Sequence, residues 1–459
     1  MYSHFHRWDK LALGVSANYT NQFFNYKINK QYTDWNGYPT TLGSDIILYY
    51  KTSQTGLFKT YLNLNQSFSS LNKPNPKTNF TDKYLYEVNN KNIFSNISFK
   101  EILKPKLSVF SALSFSYNDD KIKNDTVPLN QGSNIFQGRA TFTYFIGELS
   151  KLRFGGELSN SQFRFSEDTV QVYREGFYYA PYVESDIYLS RKIALRTGLR
   201  IENSGLINKN NLAPRASLSY KTGKFSQFAF SYGDFYQVPE ENDLLYSSYD
   251  LHKLNYEKSS HFILNFEHIT DSLIIRCELY YKNYSDLLKT GTSEFSNDGN
   301  GFAKGLDVFI RDKKTFKNIE YWISYSYLDT KRDFLDYPYK VMPSFAASHN
   351  VYLVFKYYIK KIKTYPGITY NYSTGRPYYN PNNTLFLGDL TPEFHDLSLN
   401  FIIEPKLFKK GLTTIMLNFG NILGIDHTFS YRYSTDGITR IPVKGNSLRN
   451  TSVLFRVFF

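Results

Sequence analysis

Residues 193–202 read Ile-Ala-Leu-Arg-Thr-Gly-Leu-Arg-Ile-Glu. Ile193, Leu195, Thr197, Leu199 and Ile201 share one face of an extended chain, and Ala194, Arg196, Gly198, Arg200 and Glu202 share the other. The split recurs at Leu152, Phe154, Gly156 and Leu158 against Arg153, Gly155, Glu157 and Ser159, and at Ile275, Cys277 and Leu279 against Arg276 and Glu278. A period of two with one oily and one charged face defines a strand that meets two different solvents.

Working outward, the same rhythm predicts about twenty strands, from 10–27 and 43–53 to 411–434 and 449–459, many longer than the usual five or six residues. Short turns such as 54–56, 148–150 and 222–224 alternate with long polar segments such as 70–89, 119–133, 236–256, 331–344 and 376–393. In an up-and-down meander every second connection emerges on the same side. The pattern therefore predicts an all-β fold, an antiparallel up-and-down transmembrane β-barrel with short turns at one end and long loops at the other.

Composition agrees. The 459 residues include 41 Tyr and 39 Phe but 1 Cys, which favours β-structure and excludes a disulfide framework or thiolate metal cluster. Apolar runs end after about five residues, whereas a spanning helix needs roughly twenty. The net charge is +13. Its basic residues gather at the short-turn end, as at Lys104 and Lys106, Arg191 and Lys192, Lys313 and Lys314, and Lys360, Lys361 and Lys363. That placement has two readings: attraction to phospholipid headgroups, or a solvated rim that resists edge aggregation. It does not have the basic-aromatic interleaving on one face that nucleic acid requires, so no nucleic-acid partner is expected.

No hydrolase, metalloprotease, P-loop or dinucleotide motif is present, so no enzymatic activity, catalytic residue, cofactor or metal site is expected. The Gly299-Asn300-Gly301 segment opens a strand, lacks a helix dipole to hold phosphate, and reads as a turn with close backbone approach. Within their strands Arg153, Glu157, Arg196, Arg200, Glu202, Arg215, Glu267, Arg276, Glu278, Asp307 and Arg311 fall on the charged face. They are the candidates for a wet lumen, either pairing into a ladder that stiffens the wall or contacting a plug or a substrate. Tyr246, Tyr249, Tyr378 and Tyr379 lie in the long loops and are candidates either for stacking on a ligand or for an interfacial aromatic girdle.

Several short motifs resemble, in order, those of TonB-dependent receptor barrels of the Bacteroidetes type. They are Gly198 to Glu202, Leu212 to Arg215, Tyr232 to Pro239, Glu257 to Ser259, Gly301 to Asp307, and Asn418 to Gly424, with the terminal Phe459 similar to an outer-membrane assembly signal. The resemblance implies a barrel of 22 strands in the outer membrane of a Gram-negative cell. It also implies active uptake of a scarce ligand such as a glycan or siderophore, energised by a TonB complex, with membrane lipid and the assembly machinery as further partners. By the same resemblance, residues 1–459 are expected to form the barrel domain alone, without the family's signal peptide, TonB-contacting segment or plug. A passive or structural outer-membrane barrel and a soluble β-rich binding module are the alternatives.

Overall fold

The computed structural model describes residues 2–29, 32–244, 250–290, 295–407, 411–445 and 448–458. The wall begins with β1 (Tyr2–Arg7), β2 (Leu11–Asn21), β3 (Asp34–Lys51), β4 (Leu57–Pro74), β5 (Lys83–Lys104), β6 (Leu107–Asn124) and β7 (Val127–Ile146). It continues through β8 (Ser150–Glu167), β9 (Val170–Tyr188), β10 (Ile193–Ser204), β11 (Lys209–Lys221), β12 (Ser226–Gln237), β13 (Glu257–Ile269) and β14 (Leu273–Lys289). Then come β15 (Ser296–Asp312), β16 (Ile319–Asp333), β17 (His349–Tyr357) and β18 (Thr364–Ser373). A two-residue hairpin of β19 (Pro377–Tyr378) and β20 (Asp389–Leu390) precedes β21 (Phe394–Ile403) and β22 (Leu412–Gly420). A second hairpin, β23 (Thr428–Tyr433) and β24 (Arg440–Lys444), precedes β25 (Asn450–Phe458).

Each wall strand pairs antiparallel with its sequence neighbours, giving one sheet of 21 strands among the described residues and an up-and-down barrel topology. Connections such as 52–56, 105–106, 189–192, 222–225 and 358–363 lie at one end, the turn end; 238–256, 334–348, 374–393 and 421–449 lie at the outer end. Both β1 and β25 run toward the turn end, and no ladder joins them among the described residues. At the outer end of this seam a short helix, α1 (Phe23–Ile28), is followed by Asn29, whose side chain copies a strand partner. Its Oδ1 accepts from the Thr451 N–H at 2.7 Å and its Nδ2 donates to the Thr451 carbonyl at 3.3 Å.

The register carries the alternation around the wall. Leu195, Leu218, Phe230, Leu264, Leu279 and Leu306 stand opposite one another in turn on six successive strands, forming one apolar row. Leu218, Phe230, Leu264 and Leu279 are 44–52% exposed. A water-soluble protein would bury such a row; here large apolar side chains are exposed over most of the wall, as hydrocarbon contact demands. Hydroxyls on this face pair with each other, as Ser185 and Thr197 do at 2.8 Å.

Four expectations change. Residues 2–7, a charged and histidine-bearing start, form β1, and the predicted strand 10–27 ends at Asn21, where Phe23 and Tyr26 dock in α1 against Trp35 and Tyr38 of β3. The predicted strand 411–434 divides at Gly420, and its last part joins the β23–β24 hairpin. The polar segments 70–89 and 119–133 are mostly strand, not loop: the β4–β5 ladder reaches Pro74 opposite Lys83, and β6–β7 closes in a two-residue turn with Asp125 at φ 61°. Beyond the membrane both faces are wet, so the ladder continues while the alternation that signals it disappears. Finally, Gly299–Gly301 is no turn but lies inside β15, beside a register shift on β14 at Asp286, where φ is 57°. A Cβ on Gly301 would come within 2.6 Å of the Lys331 carbonyl, and one on Gly305 would enter the Tyr280 ring.

Leu264→Arg places a charge on the apolar row and is expected to cost about 2–4 kcal/mol if the row lies near the membrane midplane, whereas Asn265→Arg on the opposite face is expected to cost far less. Urea unfolding of protein refolded into vesicles measures both; equal losses would refute the assignment of faces.

Candidate functional site

The charged face becomes an ion-pair ladder once the strands are aligned. On β8–β10, Arg153 donates from Nη1 to Glu184 at 3.2 Å and from Nη2 to Asp186 at 2.7 Å, and Asp186 also receives Arg196 and, at 3.4 Å, Lys151. One turn of the pattern further out, Arg200 reaches Glu157 at 2.5 Å, Glu202 at 2.8 Å and the Tyr178 hydroxyl at 2.9 Å, while Arg139 approaches Glu157 from β7 at 3.5 Å. The guanidinium fork suits this arrangement, because its five donors serve several acceptors at once. Five sequence candidates, Arg153, Glu157, Arg196, Arg200 and Glu202, thus converge.

The others disperse along the wall. Arg276 pairs with Glu267 at 3.3 Å, and Arg311 meets Glu320 at 2.8 Å while lying over Trp322. Arg215 stacks on Phe235 with 4.7 Å to the ring centroid. Glu278 and Asp307 stand directly opposite each other, and neither forms an ion pair among the described residues. Like charges opposed across a ladder oppose folding unless water screens them.

The loop candidates separate. Tyr378 is 6% exposed, its ring packed on Tyr431 and its hydroxyl accepting from Arg440 at 2.8 Å. Tyr379, in contrast, is 56% exposed. Tyr246, Tyr249 and Phe459 lie outside the described residues.

Three features at the outer end escaped sequence reading. Ile207 before β11, Leu244, Leu251, Leu254 and Tyr256 ahead of β13, and Leu288 at the end of β14 are buried together, with Phe295 and Leu335 against them. This hydrophobic cluster is a cap built by loops. Under it, a cavity of about 470 Å³ lies between the Val238–Glu240 segment and Gln131, Ser133, Ser161, Tyr178 and Ser204 on the charged face. A second cavity, about 300 Å³, places Arg376, Phe394 and His427 from the loop side over Asn350, Tyr352 and Asn371. The only hint in the sequence was the apolar content of an otherwise polar loop, at Leu244, Leu251 and Leu254. Among the described residues no three His, Cys, Asp or Glu side chains gather as a metal site would require.

The cap also adjoins a half-buried acid. Glu257 accepts the Leu288 N–H at 2.9 Å, yet burial pushes its carboxyl above the ordinary range; Asp243 is raised by burial and by the charge of Glu240. A carboxyl whose folded pKa exceeds its unfolded one binds more protons when folded, so it costs stability as pH rises through the folded value.

No protein-family model and no curated protein matches the sequence. Solved structures do match the fold. The FrpB iron transporter from Neisseria meningitidis superposes with a TM-score of 0.77 at 12% identity, covering 99% of this chain and 78% of that one. The ferric-catecholate import receptor Fiu from E. coli K12 gives 0.76 at 9% identity, over 99% of this chain and 79% of its own. The copper transporter OprC gives 0.76 at 11%, over 98% and 76%.

Two outcomes are expected. Arg200→Ala removes the donor shared by the part-exposed Glu157 and the buried Glu202; its cost should fall between the roughly 0–1 kcal/mol of an exposed pair and the about 3–5 kcal/mol of a buried one, and exceed that of Arg276→Ala in the same unfolding assay. Acidification from neutral pH should slow proteolysis within 238–256, and Glu257→Gln should flatten that pH dependence; a cleavage rate that ignores both would refute this role for the raised Glu257 carboxyl.

Proposed function

We propose that this chain forms the barrel of a TonB-dependent outer-membrane receptor that takes up a scarce ligand. The observation that carries the reading is an antiparallel wall of 21 strands among the described residues, oily on one face and ion-paired on the other, with a loop-built cap over one cavity at its outer end and a second cavity beside it. Its likeness across nearly its whole length to import receptors for iron chelates and metal ions supports uptake over a soluble module.

On this reading the charged face lines a hydrated lumen, and its pairs stiffen the wall at little net energy, because each pair is partly solvated. Docking of a plug and contact with a passing substrate would fall to the less committed groups, Glu278, Asp307 and Arg215. The ligand, an iron chelate, a glycan or a similar molecule, would first meet the outer cavities, where amides, hydroxyls and rings offer both hydrogen bonds and stacking. A TonB complex would supply the energy. No step involves covalent chemistry.

Uptake by cells carrying the intact gene should collapse when a protonophore abolishes the proton gradient, and should persist in the same cells if the barrel is a passive pore. Sidedness has its own check: with Cys277→Ser as background, Asn382→Cys should react with an impermeant thiol reagent in intact cells, and Thr222→Cys only after permeabilisation. Labelling of the turn residue alone would invert the topology.

A further inference from the structure

The two ends of the barrel treat their basic residues differently. At the outer end several lysines are paired with acids: Lys83 with Asp34 at 2.7 Å, Lys444 with Asp426 at 2.7 Å, Lys258 with Asp234 at 3.0 Å, and Lys289 with Asp333. At the turn end Arg191 and Lys192, Lys313 and Lys314, and Lys360 and Lys361 are all exposed, and none forms an ion pair among the described residues. Two of the turn-end acids are engaged in closing turns. Asp312 accepts from the Lys314 and Thr315 backbone N–H groups at 2.8 and 2.9 Å and from the Thr315 hydroxyl, and Glu101 accepts from Ser53 and Thr55 at 2.8 and 2.6 Å. These carboxylates hold turns in shape and form no ion pair with the six cations.

The same turns expose apolar side chains between the cations. Leu189 precedes Arg191 at 60% exposure, Phe316 follows Lys314 at 54%, and Ile362 follows Lys361 at 58%. Each turn lies at the edge of the apolar strand faces, where an oily side chain can enter the acyl region while a lysine stem lies along it and lifts its ammonium to the phosphate level. Water alone gives no reason for apolar residues to alternate with unpaired cations at this height.

We propose that the turn end is a lipid-binding ring that holds the phosphate headgroups of anionic phospholipid in the adjoining leaflet. Charge complementarity selects the occupant, since the ring is spread over separate turns around the rim and matches many small anions in a plane better than one compact acidic protein. The charge difference between the ends gives the barrel a fixed preference for which leaflet each end occupies. Attraction of this kind accumulates per lysine and falls with salt over the Debye length.

Trp8 is a built-in reporter: it lies in the 8–10 turn of the same end, 48% exposed and edge-on to His6. The full chain is refolded into phosphatidylcholine vesicles containing a fixed minor fraction of brominated lipid, either brominated phosphatidylglycerol or brominated phosphatidylcholine. Tryptophan quenching by the anionic lipid is expected to exceed that by the zwitterionic lipid several-fold. This preference should shrink at high salt and vanish when all six named cations are changed to Gln, while Lys83→Gln with Lys444→Gln leaves it intact. Heat-modifiable migration verifies folding; if the six-fold variant does not fold, Lys360→Gln with Lys361→Gln should lower the preference partway. Equal quenching by the two lipids in the unmodified chain overturns the proposal. So does a preference untouched by the Gln changes, or a ring that ignores lipid and binds poly-aspartate instead.

Discussion

Everything in this molecule follows from the backbone's need for hydrogen-bond partners where water is absent. An amide left unpaired in hydrocarbon costs several kcal/mol, on the order of a large part of a domain's net stability, so a strand that enters the membrane needs a neighbour on each edge. The meander meets that need with the nearest strand in sequence at every step from β1 to β25. It also explains Asn29, whose amide supplies a donor and an acceptor to Thr451 where the edge of β25 has no ladder partner among the described residues.

Once the ladder is set, the two faces have opposite solvents, and the energetics divide accordingly. Outside, apolar area contacts lipid and contributes little to holding strands together beyond what the ladder provides. On the other face the charges pair: Arg200 serves Glu157, Glu202 and Tyr178, and Asp186 gathers Arg153, Arg196 and Lys151. Such clusters tolerate partial hydration because Asp186 and Glu157 each have more than one donor, so a lost contact does not leave a bare charge there. A conventional hydrophobic cluster forms at the outer end, where the chain leaves the membrane and Leu251, Leu254 and Ile207 again face water.

The ends of the barrel are therefore chemically distinct. Long ladders and packed loops bring acids and bases together at the outer end, and cavities form because loops from distant strands lean over the charged face. The turn end has no room for such packing; its connections are mostly a few residues long, and carboxylates such as Asp312 and Glu101 serve to close turns. Lysines outside any ion pair among the described residues are the result, and they account for much of the chain's positive charge.

The sequence by itself determined the strand class, the two faces and the membership of the charged face, because a period of two is a local property that each segment carries in its own residues. Arg153, Glu157, Arg196, Arg200 and Glu202 were legible for that reason. Their partners depended on register: Glu184 and Asp186 belong to a strand whose faces were readable, but only alignment with β8 and β10 brings them to Arg153 and Arg196. Tyr378 shows the limit from the other side, since its loop position suggested availability and its burial came from Tyr431 and Arg440, more than fifty residues away in sequence. The cap, the cavities, the strand extensions of β4 to β7 and the Asn29 clasp were decided by tertiary structure alone. In each, the deciding contact joins segments whose local composition is polar or mixed, and hydrogen bonding and burial between distant parts of a chain leave no periodic trace in either.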